Sequence, residues 1–278
     1  MINNIGFMQG RLSPIVDNKI QAFPFDNWLD EFPLAHKLNL SCIEWTLDYP
    51  NLKSNPLLQK KYHEEIVFTS KKNKILINSI TLDNCMQRPF WKELNKEVFN
   101  NLITDLKLVI NSASSIGANI LIIPLVDNGS IKDQNQFFRL KETIISLYEL
   151  LDLRGIKIAF ESDYSPRDLA NFIKDFEEKY IGINYDIGNS ASLGFNPDEE
   201  FNNYGDRIIN VHVKDRLLNG GTVRLGNGAV NFRNVFNNLK KIKYKGNYIL
   251  QTARSSRNLH FEELKINLSF LQNFFTAP

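Results

Sequence analysis

The sequence predicts an α/β protein built as a single (β/α)8 TIM barrel over residues 1–278. Short apolar stretches rich in β-branched residues alternate with amphipathic stretches, about eight of each, and this alternation is typical of a parallel sheet covered by helices. A length of 278 residues is usual for one closed barrel. Gln9-Gly10-Arg11 follows the first apolar stretch in place of a glycine-rich phosphate turn, which disfavours a doubly wound open sheet.

The first half of the chain supplies four predicted strands and four predicted helical segments. The strands lie at residues 4–8, 41–45, 75–80 and 120–124. Helical periodicity follows them at 28–38, 57–72, 94–116 and 136–153. Pro33 falls near the first turn of its helix, where the missing amide hydrogen is tolerated. Gly117 is a typical helix stop.

In the second half, the predicted strands end on polar side chains. Strands at 156–160, 181–185, 208–213 and 248–250 are followed or ended by Glu161, Asp186, His212 and Gln251. Helical segments are predicted at 166–178, 197–204, 232–242 and 261–275, and a long loop with four glycines spans 216–231. Because the carboxyl ends of parallel barrel strands meet at one rim, we expect the four polar side chains to lie close together.

The composition is that of an ordinary globular protein, with 43% hydrophobic and 23% charged residues. A net charge of +2 with scattered lysines argues against nucleic acid as the main partner. Two cysteines, Cys42 and Cys85, are too few for a disulfide framework. No secretory leader and no apolar stretch of about 20 residues is visible, so a cytoplasmic protein without membrane contact is expected. The sequence leaves a homo-oligomer open.

The four polar strand ends form a ligand set for a divalent metal ion. Glu161 and Asp186 offer carboxylates, His212 offers an imidazole nitrogen, and Gln251 offers an amide carbonyl; these ligands suit Mn²⁺, Mg²⁺ or Zn²⁺. An ion held there can polarise a carbonyl and stabilise an enediolate while a neighbouring base removes the α-proton. Taken alone, a histidine in a strand such as His212 is more often a core residue bonded to a backbone carbonyl, but the two carboxylates beside it would be costly to bury without a cation and favour the ligand.

These residues resemble the xylose-isomerase-like barrels of sugar isomerases and epimerases. The resemblance is carried by Phe160-Glu161, Tyr185-Asp186-Ile187-Gly188-Asn189, Val211-His212-Val213-Lys214-Asp215 and Leu225-Gly226-Asn227-Gly228. The first half matches only in its alternation of predicted strands and helices and in Ile43-Glu44-Trp45. The resemblance implies a metal held by Glu, Asp, His and Glu from strands five to eight, with the two glutamates also moving protons.

Two positions depart from the family pattern. Position 251 is Gln, which cannot exchange a proton, so Glu161 is expected to be the main base. Lys214 follows His212 by two residues and is a candidate replacement acid. Asn189 stands where many members carry His, and its amide is expected to bind a substrate hydroxyl.

Arginines around the predicted rim indicate an anionic sugar, such as a sugar phosphate. Arg216 lies in the loop after strand seven, Arg254 follows strand eight, and Arg11 follows strand one. The loops after strands seven and eight are a common phosphate site, and guanidinium groups bind phosphate at two points. Glu44 is expected either to line the mouth of the barrel as a substrate-binding residue or to pair with an arginine.

The leading functional hypothesis is therefore a metal-dependent isomerase or epimerase that acts on a sugar or sugar phosphate through an enediolate. A dehydratase of the inosose type needs only one base and is an alternative. A sugar-binding barrel impaired in catalysis by Gln251 is another. A multi-zinc nuclease is disfavoured because the chain has only four histidines, with one at a strand end.

Overall fold

A computed structural model describes residues 4–49 and 51–275 and shows the expected closed barrel. Eight parallel strands surround one axis in the order β1-β8-β7-β6-β5-β4-β3-β2. Their bounds are β1 Ile5–Met8, β2 Cys42–Leu47, β3 Leu76–Leu82, β4 Ile120–Leu125, β5 Lys157–Ser162, β6 Ile181–Asp186, β7 Ile208–Val213 and β8 Asn247–Leu250. Each strand pairs with its neighbours in sequence, and β8 closes the sheet on β1.

Helices follow the strands, and most of them cover the outside of the barrel, while two short ones, at residues 83–87 and 187–192, contribute residues to the cavity at its carboxyl end. They are α1 Glu31–Lys37, α2 His63–Asn73, α3 Asp83–Gln87, α4 Lys96–Ile116, α5 Gln134–Ile145, α6 Tyr148–Arg154, α7 Pro166–Ile173, α8 Ile187–Ser192, α9 Pro197–Tyr204, α10 Phe232–Lys241 and α11 His260–Gln272. In the described part of the chain, none has the length and apolarity that a bilayer-spanning helix requires. Pro33 lies in the first turn of α1, and Gly117 ends α4 with φ of +90°.

Three predicted helices differ from the structure, one of them because the segment predicted at 166–178 ends at Ile173. The segment predicted at 57–72 begins with short 3₁₀ turns, and regular helix starts only at His63. Asn55 explains the delay in part, because its side chain accepts a hydrogen bond from the Leu57 amide and holds a separate turn there. The segment predicted at 136–153 is divided into α5 and α6 at residues 146–147.

The strands turn alternate residues inward and outward. Phe160 packs outward on Phe172 and Phe176, which belong to α7 and the turn after it, while the next residue, Glu161, faces the barrel interior. On β7, Val211 and Val213 are fully buried, and His212 between them points inward. Apolar packing against the helices therefore holds the strands, and the polar side chains converge inside the barrel.

Candidate active site

Glu161, Asp186 and His212 come together at the carboxyl end of the barrel. Each offers one ligand atom, and these atoms all lie within 4.8 Å of one another. All three side chains are buried. The strands that carry them are adjacent, and Asp186 lies directly beside His212 in the register of β6 and β7. Two carboxylates and an imidazole at this spacing form a candidate divalent-metal centre.

Glu44 lies behind His212 in the barrel interior, which corrects the expectation that it binds substrate or pairs with an arginine. Its side chain is completely buried, and its Oε1 lies 2.7 Å from His212 Nε2. Ser79 and Thr81 donate their hydroxyls to the same carboxylate at 2.7 and 2.6 Å, and Asn210 Nδ2 donates at 2.9 Å. With both oxygens occupied by protein groups, Glu44 orients His212 so that Nδ1 faces the cluster.

The opposite charges in this cluster stabilise each other's ionised forms. Burial by itself would lower the pKa of His212, but the carboxylates of Glu44 and Glu161 outweigh it and raise the pKa to about 10. Burial opposes ionisation of Glu161, yet hydrogen bonding and charge from His212, with the Lys214 ammonium and Asn184, hold its pKa below the usual range. Glu161 is therefore an ionised carboxylate at neutral pH.

Asn189, Lys214 and Arg216 lie on one wall of the cavity above the cluster, as the sequence predicted for the rim. Asn189 Nδ2 donates to Glu161 Oε1 at 2.8 Å, and its Oδ1 accepts from Arg216 at 2.9 Å. Lys214 Nζ lies 3.0 Å from Asp186 Oδ2. Gly188 leaves room for this lysine, since an added Cβ would lie 2.8 Å from its Cγ.

Gln251 and Arg11 lie on another wall of the same cavity. The Gln251 amide nitrogen donates to Gln21 Oε1 at 3.1 Å, while its Oε1 has no hydrogen-bond partner among the described residues. Arg11 also donates to Gln21 Oε1, at 3.2 Å, and to the Thr252 carbonyl at 2.9 Å. Burial and the nearby Arg254 guanidinium lower the pKa of Arg11 to about 9.

Arg254 does not line the main cavity, which corrects its predicted place at the substrate. It donates to the carbonyl of Ser13 and lines a separate cavity of about 540 Å³ together with Arg224 and Arg257. The loop after β8 turns it toward residues 10–13, whose position is fixed because the Glu31 carboxylate accepts the amides of Gly10 and Leu12. The sequence shows that Arg254 follows a barrel strand, but it does not show toward which side of the rim the loop directs the side chain.

The main cavity has a volume of about 740 Å³ and joins both walls. Sequence reasoning missed several of its lining residues, among them Gln21 and Asp83. Asp83 directly follows β3, just as Gln251 follows β8, but the strand was expected to end at Ile80. Continuing the strand through Thr81-Leu82 would have placed Asp83 at the rim with the other polar strand ends.

The fold and the cluster define a closed (β/α)8 barrel with a candidate metal centre inside its carboxyl end. A family model described as xylose isomerase-like TIM barrel matches residues 32–273. The chain therefore belongs to the xylose isomerase-like TIM barrel family.

Individual proteins are similar to this chain in sequence or in fold. An uncharacterized protein of Methanocaldococcus jannaschii, MJ1311, is 32% identical over 141 residues, and the match covers 45% of this chain and about half, 48%, of that protein. The structure of D-psicose 3-epimerase in the presence of D-fructose superposes with a TM-score of 0.75 at 12% identity, covering 99% and 100% of the two chains. The IOLI protein with a bound zinc atom gives 0.73 at 15% identity, covering 99% and 100%.

Proposed function

We propose that this protein is a divalent-metal-dependent isomerase or epimerase that acts on a sugar or sugar derivative through an enediolate. The observation that carries the proposal is the convergence of Glu161, Asp186 and His212 beneath a cavity of about 740 Å³. A cavity of this size accommodates a monosaccharide derivative. Solved structures of similar fold include a 3-keto-D-glucoside 4-epimerase and a D-psicose 3-epimerase, which supports the same reaction class.

The residues present fit a divalent ion. Glu161, Asp186 and His212 would hold it, and Gln251 adds a buried amide oxygen that lacks a hydrogen-bond partner among the described residues. These oxygen and nitrogen donors suit Mn²⁺, Mg²⁺ or Zn²⁺. When bound, the ion would polarise a substrate carbonyl and offset the negative charge that develops on its oxygen.

Glu161 is the proposed main base. Asn184 and Asn189 donate to its two oxygens at 2.8 Å each, so the carboxylate is fixed in direction, and it is ionised at neutral pH. It can remove the proton from the carbon next to the substrate carbonyl and return it to the neighbouring carbon. Gln251 has no proton to exchange at working pH, so it would bind a substrate hydroxyl or the ion.

Cationic groups on the cavity wall suit an acidic or phosphorylated sugar. Lys214, Arg216 and Arg11 all line the cavity. Arg11 makes no ion pair with a carboxylate among the described residues, so its charge is available to a substrate anion. Lys214 is a proposed proton donor to a substrate oxygen, and Asn189 a hydroxyl-binding residue.

Hydrogen exchange from the substrate into ²H₂O tests this function. The protein is stripped with a chelator, reloaded with Mn²⁺, and incubated with neutral and phosphorylated ketohexoses while NMR follows the C–H next to the carbonyl. We expect Mn²⁺-dependent exchange and an isomeric product, and a loss of about 100-fold or more in Glu161→Gln, because the amide cannot accept the proton.

The exposed Glu178→Gln is the matched control and should retain activity. A product lighter by one water would identify a dehydratase instead. Binding of sugar with no exchange in the wild-type protein would contradict the proposal and favour a binding barrel.

A further inference from the structure

Besides Glu161, the cavity is lined by the carboxyl groups of Asp83, Asp127 and Asp163, and Asp83 is the one that follows β3. Asp83 follows Leu82 at the carboxyl end of β3 and is 7% exposed. It lines the cavity together with Thr81, Gln251 and Glu161. Only β4 separates β3 from β5 in the barrel, so Asp83 and Glu161 reach the same cavity from two separate strands.

The contacts of Asp83 are not those of a structural carboxylate. Its Oδ2 accepts a hydrogen bond of 2.5 Å from Gln21 Nε2, and Gln21 Oε1 accepts in turn from Gln251 and Arg11. Among residues 4–49 and 51–275, Asp83 forms no ion pair. The start of α3, where it lies, has no side-chain cap. Gln21 therefore connects Asp83 to Gln251 through hydrogen bonds, and Gln251 occupies the position where the family pattern has its second glutamate.

The surroundings of Asp83 raise its pKa, so that its protonated and ionised forms are both populated at neutral pH. Burial, then the negative charges of Asp48 and Glu161, raise its pKa to about 7, against the hydrogen bond from Gln21 and the positive charge of His212. The Arg11 guanidinium and the Cys85 thiol also lie close enough for the Asp83 charge to affect their pKa values. A cavity-lining carboxyl that exchanges its proton near neutral pH has the property required of a general acid or base.

We propose that Asp83 is a second acid–base residue of this site and that, with Glu161, it allows inversion at the carbon next to the substrate carbonyl. The inference rests on the proposed function. Asp83 would supply the second group that exchanges a proton, a role that the Gln251 amide cannot fill. The expected reaction then changes from isomerisation with one base to epimerisation with two.

The step balances with the two carboxyl groups alone. The Glu161 carboxylate takes the proton from the substrate carbon, and the C–H electron pair enters the enediolate. The Asp83 carboxyl then donates its proton to the same carbon from its own side, and a new C–H bond forms. Glu161 is left protonated and Asp83 ionised, and both return to their starting states by exchanging protons with water.

Asp83→Asn tests the inference, with exposed Asp26→Asn as the control for loss of one carboxylate. Each Mn²⁺-loaded protein is incubated in ²H₂O with D-fructose, D-psicose, D-tagatose and D-fructose 6-phosphate. NMR then measures deuterium entry into the remaining substrate and the amount of epimer formed. Melting curves and deuterium entry both report whether the variant is folded.

We expect epimer formation to fall by about 100-fold or more in Asp83→Asn, while deuterium entry into the substrate stays within about threefold of wild type. Glu161 still removes and returns the proton on its own side in that variant. Asp26→Asn should match wild type in both measurements. A structural role would lower exchange and epimer formation together.

Three results would overturn the role of Asp83. They are unchanged epimer formation in Asp83→Asn, an equal loss of exchange and epimer, and exchange without any epimer in the wild-type protein. Absence of exchange in the wild-type protein is a different result, since it would remove the proposed function together with this inference.

Discussion

Glu44 and His212 are the residue pair on which the geometry of the cluster depends. A carboxylate inside an apolar strand has the same sequence signature whether it lies at the barrel mouth or deep in the interior. The sequence therefore left Glu44 either at the mouth of the barrel, binding substrate, or paired with an arginine, and the structure places it behind the histidine, 2.7 Å from Nε2. Glu44 therefore affects the cavity indirectly, because it fixes the orientation of the His212 ring, whose Nδ1 faces the cluster.

Glu44→Gln is predicted to weaken Mn²⁺ binding by about 10- to 100-fold. Ser79, Thr81 and Asn210 all donate hydrogen bonds to the Glu44 carboxylate, and the NH₂ group of a glutamine would face these donors instead of accepting from them. The His212 ring would also lose its charged partner. Isothermal titration calorimetry of the chelator-treated protein with Mn²⁺ measures the change in affinity.

Glu200→Gln supplies the control for the Glu44 variant. Glu200 is equally buried, but it accepts hydrogen bonds from the hydroxyls of Ser190, Tyr185 and Tyr204, outside the cluster. Its substitution should lower the free energy of unfolding and leave Mn²⁺ affinity unchanged. Equal Mn²⁺ affinity in Glu44→Gln and wild type would refute the orienting role of Glu44.

Glu161, Asp186 and His212 were predictable from sequence for one physical reason. Each interrupts a β-branched run at the point where a parallel strand reaches the rim, and the chain order of the strands is also their order around the barrel. Asp83 was missed because β3 runs two residues further than its apolar pattern indicates. Arg254 was misplaced because a loop can turn a side chain to either side of the rim.

At the scale of elements, the loop after β7 is more ordered than its four glycines suggest. Asp215–Arg216 pairs in antiparallel fashion with Thr222–Val223. The buried Asp215 carboxylate then accepts the backbone amides of Gly226, Gly228 and Val230 at 2.9 to 3.2 Å. Lys214 and Arg216 flank this carboxylate in sequence, so the same anchor holds the wall of the cavity that they form.

Gly228→Ala is predicted to lower the free energy of unfolding by about 1 to 3 kcal/mol. A Cβ at that position would lie 2.1 Å from Asp215 Oδ1 and 2.5 Å from the Arg216 carbonyl oxygen, so the loop must move and the hydrogen bonds to Asp215 must lengthen. Urea denaturation followed by circular dichroism measures the loss.

Gly221→Ala is the matched control in the same loop. An added Cβ there meets no atom within 4 Å, so the change in unfolding free energy should stay within about 0.5 kcal/mol. If both glycine variants were as stable as wild type, the loop would not depend on the Asp215 anchor.

At the scale of the whole molecule, the barrel separates two tasks. Apolar residues on the outer faces of the strands pack against the helices and supply the core, while the inner faces carry buried polar groups joined by hydrogen bonds. The sequence predicted this architecture because the period of apolar residues changes between strands and helices along the chain. It did not predict the contacts between distant strands, such as Glu44 with His212, because such contacts depend on how the closed barrel positions each inward side chain.

The central claim is that Glu161, Asp186 and His212 hold one divalent ion. The most direct test is titration of chelator-treated protein with Mn²⁺, followed by electron paramagnetic resonance of the free ion, in wild type and in His212→Gln. We predict one tightly bound Mn²⁺ per wild-type chain and an affinity lower by about 100-fold in the variant. Absence of tight binding in the wild type, or equal binding in both proteins, would contradict the claim.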